Sequence, residues 1–308
     1  MKSEWEITLK DAATGEVKQH IPWHKNVILD AGLNLALTTT QAFMFDYNFP
    51  HPTYHMLTYI AVGTGSNAPA ATDVGLQTQL IRKWVSSNNS SSVNTTDPTA
   101  PYCIIGTTFT ENEANGDLKE VGLCTADIGG TFFNRDLFRD GGGNPVTIAK
   151  TSNDLLVVKC KITVKRVSEI PSSYNVTASD NTVHAVKGIL TNAGLAGILA
   201  NQSFWPTSGV VYTGTNSVDP APADTNVKTS MMAASVQTTT PVSHTGPTEG
   251  FYRDYTFIAN PSDCNQNISE VAMFPGGAFN SRFTFSPALA KTSAKKLTIS
   301  MRVTLSRL

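Results

Sequence analysis

The chain has 308 residues, with 23 Lys and Arg against 24 Asp and Glu, a formal charge of −1. That balance excludes the overall basic footprint of a nucleic-acid or anionic-membrane binder, and no run approaches the ~18 apolar residues of a membrane span. Only 15% of residues are charged while 39 are Thr and 25 Ser, which points to a β-rich chain long enough for two domains.

Residues 1–24 read as a hairpin: Trp5, Ile7 and Leu9 alternate, 11–15 turn, and 16–21 return. Met1-Lys2-Ser3-Glu4 opens no apolar h-region, so no signal peptide is expected. Residues 27–38 begin as a short strand and continue as a short helix capped by Asp30, with Gly32 weakening it by about 1 kcal/mol. Strands are expected over 58–62, 104–109 and 120–124, and over 156–164, where every second residue is apolar. The Ser- and Asn-rich stretch 86–92 reads as a low-complexity mobile loop, and 167–186, rich in Ser, Asn and Thr with Pro171, as a linker.

Beyond that linker the pattern returns. Lys25-Asn26-Val27-Ile28-Leu29-Asp30-Ala31-Gly32-Leu33 reappears as Lys187-Gly188-Ile189-Leu190-Thr191-Asn192-Ala193-Gly194-Leu195. Gly63-Thr64-Gly65-Ser66 with Pro69 and Asp73 returns as Gly214-Thr215-Asn216-Ser217 with Pro220 and Asp224. Glu120-Val121, Phe132 with Arg135, and Lys150-Thr151-Ser152 return as Glu270-Val271, Phe279 with Arg282, and Lys291-Thr292-Ser293. Order is kept while the offset falls from 162 to 141, as when a duplicated unit is trimmed at its loops. A second helix is thus expected over 189–200, with strands over 209–212, 252–258, 270–274 and 297–305. The fold class is mainly β: a hairpin at 1–24, a β-sandwich-like repeat at 25–166, the linker at 167–186 and a second repeat at 187–308, each repeat with a short helix.

Duplication also screens candidate sites. Cys160 and Cys124 correspond to Met301 and Phe274 and so read as buried hydrophobes. His20 with His24, and His51 with His55, have i, i+4 spacing, but Pro22, Pro50 and Pro52 deny both pairs a helix, and no metal site is assigned. Gly63-Thr64-Gly65-Ser66 lacks the Lys-Ser/Thr ending of a phosphate loop and reads as a turn. Glu120 with Arg135, and Glu270 with Arg282, read as internal structural pairs. A glycosidase would need two facing carboxylates, and the duplicated set offers one per copy apart from loop Asp73 and Asp224, so no catalytic residue, cofactor or enzyme activity is expected. The aromatics Phe43, Phe45, Tyr47, Phe49 and Tyr54 crowd a segment peculiar to the first copy, either as an interface or glycan-stacking platform or as a cover over their own sheet.

The run 26–33, then Tyr59-Ile60-Ala61-Val62-Gly63-Thr64-Gly65 leading through Ala68-Pro69-Ala70-Ala71-Thr72-Asp73 to Leu76 and Arg82, is followed by Phe109-Thr110-Glu111-Asn112-Glu113-Ala114-Asn115-Gly116, Lys119-Glu120-Val121-Gly122-Leu123 and Phe133-Asn134-Arg135. This succession, covering most of 22–166, resembles a repeat of tailed-bacteriophage virion proteins, in tail-fibre or collar-like and related structural proteins. The second copy departs from it at Ala272, where the first has Gly122. The resemblance implies a non-enzymatic virion component of tail, collar or fibre attachment. It would assemble with itself, as a trimer or multiple of three, and dock other virion proteins. A receptor- or glycan-binding module meeting a host-surface glycan, and a head decoration protein, are the alternatives.

Overall fold

The computed structural model describes residues 1–38, 57–168, 170, 172–177, 182–200, 209–225, 232–234, 237–238, 242–246, 250–275 and 281–308. The chain begins with strands β1 (Lys2–Asp11), β2 (Val17–Lys25) and β3 (Val27–Ile28), then helix α1 (Asp30–Thr38). It continues through β4 (Tyr59–Gly63), β5 (Gln79–Trp84), β6 (Ser91–Asn94), β7 (Tyr102–Phe109), β8 (Gly116–Leu118), β9 (Glu120–Cys124), β10 (Phe132–Leu137), β11 (Ile148–Lys150) and β12 (Asp154–Thr163). The second half holds β13 (Ser172–Thr177), β14 (Val183–Leu190), helix α2 (Asn192–Ala200), β15 (Gly209–Gly214), β16 (Met232–Ala234), β17 (Gln237–Thr238) and β18 (Val242–Gly246). It closes with β19 (Gly250–Ala259), β20 (Asn267–Pro275), β21 (Ser281–Ala290) and β22 (Leu297–Leu305). The fold is mainly β, every ladder among the described residues is antiparallel, and two α-helices are present.

Alternation builds the first large sheet, β2-β1-β12-β7-β6. Trp5, Ile7 and Leu9 lie across from Cys160, Val158 and Leu156, and all six side chains are buried. Each apolar pair closes against the core while Glu4, Glu6, Lys159 and Lys161 line the other face and pair across the strands. The second sheet of this half runs β3-β10-β9-β4-β5.

The other half contains a sheet in the order β13-β14-β21-β20-β15-β16. Its run β14-β21-β20-β15-β16 uses the same succession of sequence blocks as β3-β10-β9-β4-β5. Beside it, β19 pairs with β22 on one edge and with β17 and β18 on the other. One buried cluster runs through both halves, from Met1 and Trp5 to Phe285 and Leu305. Helix α1 packs on β10 and reaches β18 and β19 of the second half, and α2 reaches β6 and β7 of the first. The C-terminal segment returns to the start of the chain, where the Leu308 N–H donates to the Met1 carbonyl at 2.9 Å.

Three local expectations are corrected. The segment 167–186, read as a linker, contains β13 and the first half of β14, and the two strands pair over six residues from Ser172↔Gly188 to Thr177↔Val183. Its polar composition hid this hairpin, since of residues 183–187 only His184 and Val186 are buried. The loop at 86–92 holds a 3-10 turn at Ser87–Asn89 and the start of β6. There Asn89 Nδ2 donates to Thr108 Oγ1 at 2.9 Å and Ser90 Oγ to the Ser86 carbonyl at 2.8 Å, so the same polar side chains that suggested mobility fasten the loop to β7. Asp30 and Asn192 stand inside their helices rather than capping them. In α2 the cap is Thr191, whose Oγ1 accepts the Gly194 N–H at 3.1 Å. Leu29 occupies the corresponding place in α1 and has no acceptor, and the Asp30 carboxylate pairs instead with Arg307.

Gly32 has a packing reason that helix propensity does not supply. A Cβ there would lie 2.1 Å from the carbonyl oxygen of Phe133, so the helix can press its backbone onto β10 only without a side chain. On an exposed helix Gly→Ala stabilises by about 1 kcal/mol. Here Gly32→Ala is expected to destabilise the protein by ~1–3 kcal/mol in urea unfolding, and a gain in stability would contradict the close approach.

Candidate functional site

The two Glu–Arg pairs are the most chemically concentrated places in the described residues. Glu120 stands on β9 and Arg135 on the neighbouring β10, both buried. Glu120 Oε1 accepts the backbone N–H of Gly65 at 3.0 Å and of Thr78 at 2.7 Å, and Oε2 accepts that of Gln77 at 2.9 Å. Arg135 Nε donates to Glu120 Oε2 at 3.1 Å, Nη2 to the Asn67 carbonyl at 3.0 Å, and Nη1 pairs with Asp73. Asp73 in turn accepts the Ala70 N–H at 2.9 Å and so closes its own turn.

The Gly-Thr-Gly motif now has a physical role. A Cβ on Gly65 would sit 2.4 Å from Glu120 Oε1, so the loop wraps a carboxylate as closely as a phosphate loop wraps its anion. The anion it holds is the protein's own.

The second half repeats the arrangement on β20 and β21. Arg282 Nε donates to Glu270 Oε2 at 2.9 Å, and Nη1 reaches Asp224 Oδ2 at 3.1 Å and the Asp219 carbonyl at 3.3 Å. Asp224 closes its turn through the Ala221 N–H at 2.8 Å. Glu270 and Arg282 are fully buried. Burying a guanidinium and carboxylates is tolerable only when they are paired and hydrogen-bonded to one another, and the contacts named here all serve the fold.

A second repeated cluster escaped the sequence reading. Lys150 is buried and its Nζ donates to the Thr110 carbonyl at 2.8 Å, Asn115 Oδ1 at 2.9 Å and the Thr151 carbonyl at 3.3 Å. Lys291 does the same with the Pro261 carbonyl at 3.2 Å, Asn265 Oδ1 at 3.1 Å and the Thr292 carbonyl at 3.2 Å. Burial pushes the Lys150 ammonium below its ordinary range. Both lysines fasten a turn containing a left-handed residue other than glycine, Ala114 at φ 55° and Cys264 at φ 51°. The available signal was the repeated Lys-Thr-Ser, together with Asn115 and Asn265 at nearly the same offset as the glutamates.

The remaining candidates are dispersed. Cys103, Cys124, Cys160 and Cys264 are buried free thiols, and burial pushes Cys103 up to about 12, Cys124 up to about 11 and Cys160 higher still. His20 and His24 lie four residues apart on strand β2, about 13 Å along it, too far to share a metal. His184 is buried, with Nδ1 2.7 Å from the Pro287 carbonyl oxygen. No group of three metal-ligating side chains occurs among the described residues. Phe43, Phe45, Tyr47, Phe49 and Tyr54, with His51 and His55, lie outside the described residues.

A cleft of about 580 Å³ opens in the second half between β22 on one side and β14, β21 and α2 on the other, with residues 164–168 at its rim. Ile189, Leu195, Ile198 and Val303 make it apolar, Lys165, Arg166 and Arg302 supply its charge, and its lining holds no His, Cys, Asp or Glu. No family model matches the chain, and neither the curated proteins nor the solved structures contain a significantly similar one.

The clasps make a sharp energetic claim. Arg282→Met leaves Glu270 and Asp224 buried without their cation, and a loss of about 3–5 kcal/mol in denaturant unfolding is expected. The double variant Arg282→Met with Glu270→Gln should recover part of it. A single-variant loss below about 1 kcal/mol would reduce the clasp to an incidental contact.

Proposed function

We propose that the chain is a structural component of a tailed-phage virion, of the tail, collar or fibre attachment, acting through assembly with copies of itself and docking to other virion proteins. The observation that carries this reading is the repetition of one clasp and one strand succession in both halves. The Glu–Arg–Asp clasp and the Lys–Asn turn recur at matched positions, so both halves are braced from within in the same way, and in this reading each turns a rigid face to a neighbour. Such faces suit a ring or fibre, in which each subunit meets the next by a repeated contact.

The sequence resemblance supports the same reading, since Gly63-Thr64-Gly65, Asp73, Glu120 and Arg135, which carry it, are the residues that build the clasp. In this reading the motif serves the turn that holds Glu120, with no ligand required. A buried clasp is also a sensible device for a particle component, because the turns it pins stay fixed without a bound partner.

Light scattering on the purified protein over a tenfold concentration range tests the proposal. A single oligomer of fixed stoichiometry is expected. A strict monomer throughout would contradict assembly with itself.

A further inference from the structure

Strand β12 and strand β22 occupy corresponding places, but their outer edges differ. In the first half β1 covers β12 along ten paired residues, and Leu156, Val158, Cys160 and Ile162 are all fully buried. In the second half β22 pairs with β19 over nine residues, from Phe251↔Leu305 to Ala259↔Leu297, without a register shift. Among the described residues no strand lies along its other edge. Just beyond the strand this end of the chain is held by the Met1 ammonium, which donates to the Ser306 carbonyl at 2.6 Å, and by Arg307, which donates to the Ile28 carbonyl at 2.6 Å and pairs with Asp30. The inward residues Leu297, Ile299 and Val303 are correspondingly only half-buried.

Every other edge of the large sheets is blunted. Strand β2 carries two register shifts, Pro22 and two lysines, and β5 carries Arg82 and Lys83. Strand β6 is irregular, β3, β16 and β17 are two or three residues long, β18 is five, and β13 is six and polar. Soluble proteins protect long flat edges by such means because an unprotected edge pairs with another strand. Strand β22 has nine residues, no proline and no bulge, and its one charge, Arg302, is turned inward along the sheet to Asp254 at 2.8 and 2.9 Å.

We infer that the outer edge of β22 is a two-fold interface, pairing antiparallel with β22 of a second copy about Met301. The sequence is self-complementary in that register. Leu297 falls opposite Leu305, Ile299 opposite Val303 and Met301 opposite itself, so all apolar positions share one face. On the other face Thr298 falls opposite Thr304, and Ser300 opposite Arg302. No like charges stand directly across from each other, and each Arg302, diagonal to its own copy, is already neutralised by Asp254. The partner strand ends opposite Leu305, where Met1 closes the edge, and at that point the partner chain is already leaving the sheet into the turn before its Leu297. The inference rests on the assembly reading and narrows the expected trimer or multiple of three to an even-numbered assembly.

Thr298 and Thr304 are exposed in the single chain, so replacing them leaves its core intact. In the two-fold register, Thr298→Lys with Thr304→Lys sets lysine against lysine twice, while Thr298→Lys with Thr304→Glu sets lysine against glutamate twice. Sedimentation of the full chain should show an even-numbered wild-type assembly and at least ~10-fold weaker association of the Lys/Lys variant. The Lys/Glu variant should associate more tightly than the Lys/Lys one, and the circular dichroism of all three should agree. A wild-type oligomer that the Lys/Lys variant reproduces overturns this interface and leaves assembly standing. A wild-type monomer at every concentration overturns both. Lys/Glu association no better than Lys/Lys overturns the register.

Discussion

A guanidinium buried among β-strands must be neutralised where it lies, and that requirement organises both halves of this chain. Arg135 and Arg282 each project from one strand toward a glutamate on the next, and each also draws an aspartate from a distant turn onto its second nitrogen. Strand register, turn position and the start of the helix in each half are thereby tied to one charge. The chain of contacts can be followed outward from Asp73. Its turn presents the Ala71 carbonyl to the Asp30 N–H at 2.8 Å, and the Pro222 carbonyl meets the Asn192 N–H at the same distance in the second half. The helix starts are therefore held by the clasps. Tertiary packing across the two halves, of α1 on β18 and β19 and of α2 on β6 and β7, keeps the helices in place.

The parts of this architecture that sequence reasoning reached are those written in strict alternation or in repetition. The strand at 156–164 and its counterpart at 297–305 announce themselves by five apolar residues at period two, and Glu120, Arg135, Glu270 and Arg282 by recurrence beside apolar strands. Asp73 and Asp224 also recur, but an aspartate in a Pro-Ala turn looks like a local turn residue. Nothing in the one-dimensional pattern says that the same oxygen also accepts a guanidinium some sixty residues away. The lysine clusters were hidden differently: Lys150 and Lys291 carry the most solvated side chain by habit, and their burial depends on carbonyls supplied by another turn. The hairpin of β13 and β14 was missed because its composition is that of a linker, while its pairing partner β21 lies a hundred residues further on.

The two halves are alike in their clasps and unlike at their edges. The first half closes its long sheet with the hairpin β1–β2, fixed at the far end by Lys18 between Asp11 and Asp154, at 2.9 and 2.7 Å. The second half spends its extra hairpin, β13–β14, on the opposite sheet, and β22 is left as an edge beside an apolar cleft. An internal asymmetry of this kind lets one sheet be finished within the chain and the other be finished by a neighbour. Stability and assembly are then carried by different residues, the clasps in the interior and the plain alternation of β22 at the rim.

The loop from Gly63 to Thr78 is held by the Glu120 carboxylate. Amide hydrogen exchange at Gly65, Gln77 and Thr78 tests it most directly, since all three N–H groups donate to that carboxylate. The account predicts that these loop amides exchange as slowly as the amides of β9, and that Glu120→Gln speeds them at least ~10-fold, the equivalent of about 1.4 kcal/mol, while the amide of Trp5 in β1 is unchanged. Exchange of the three amides at the rate of an open loop in the wild-type protein would contradict it.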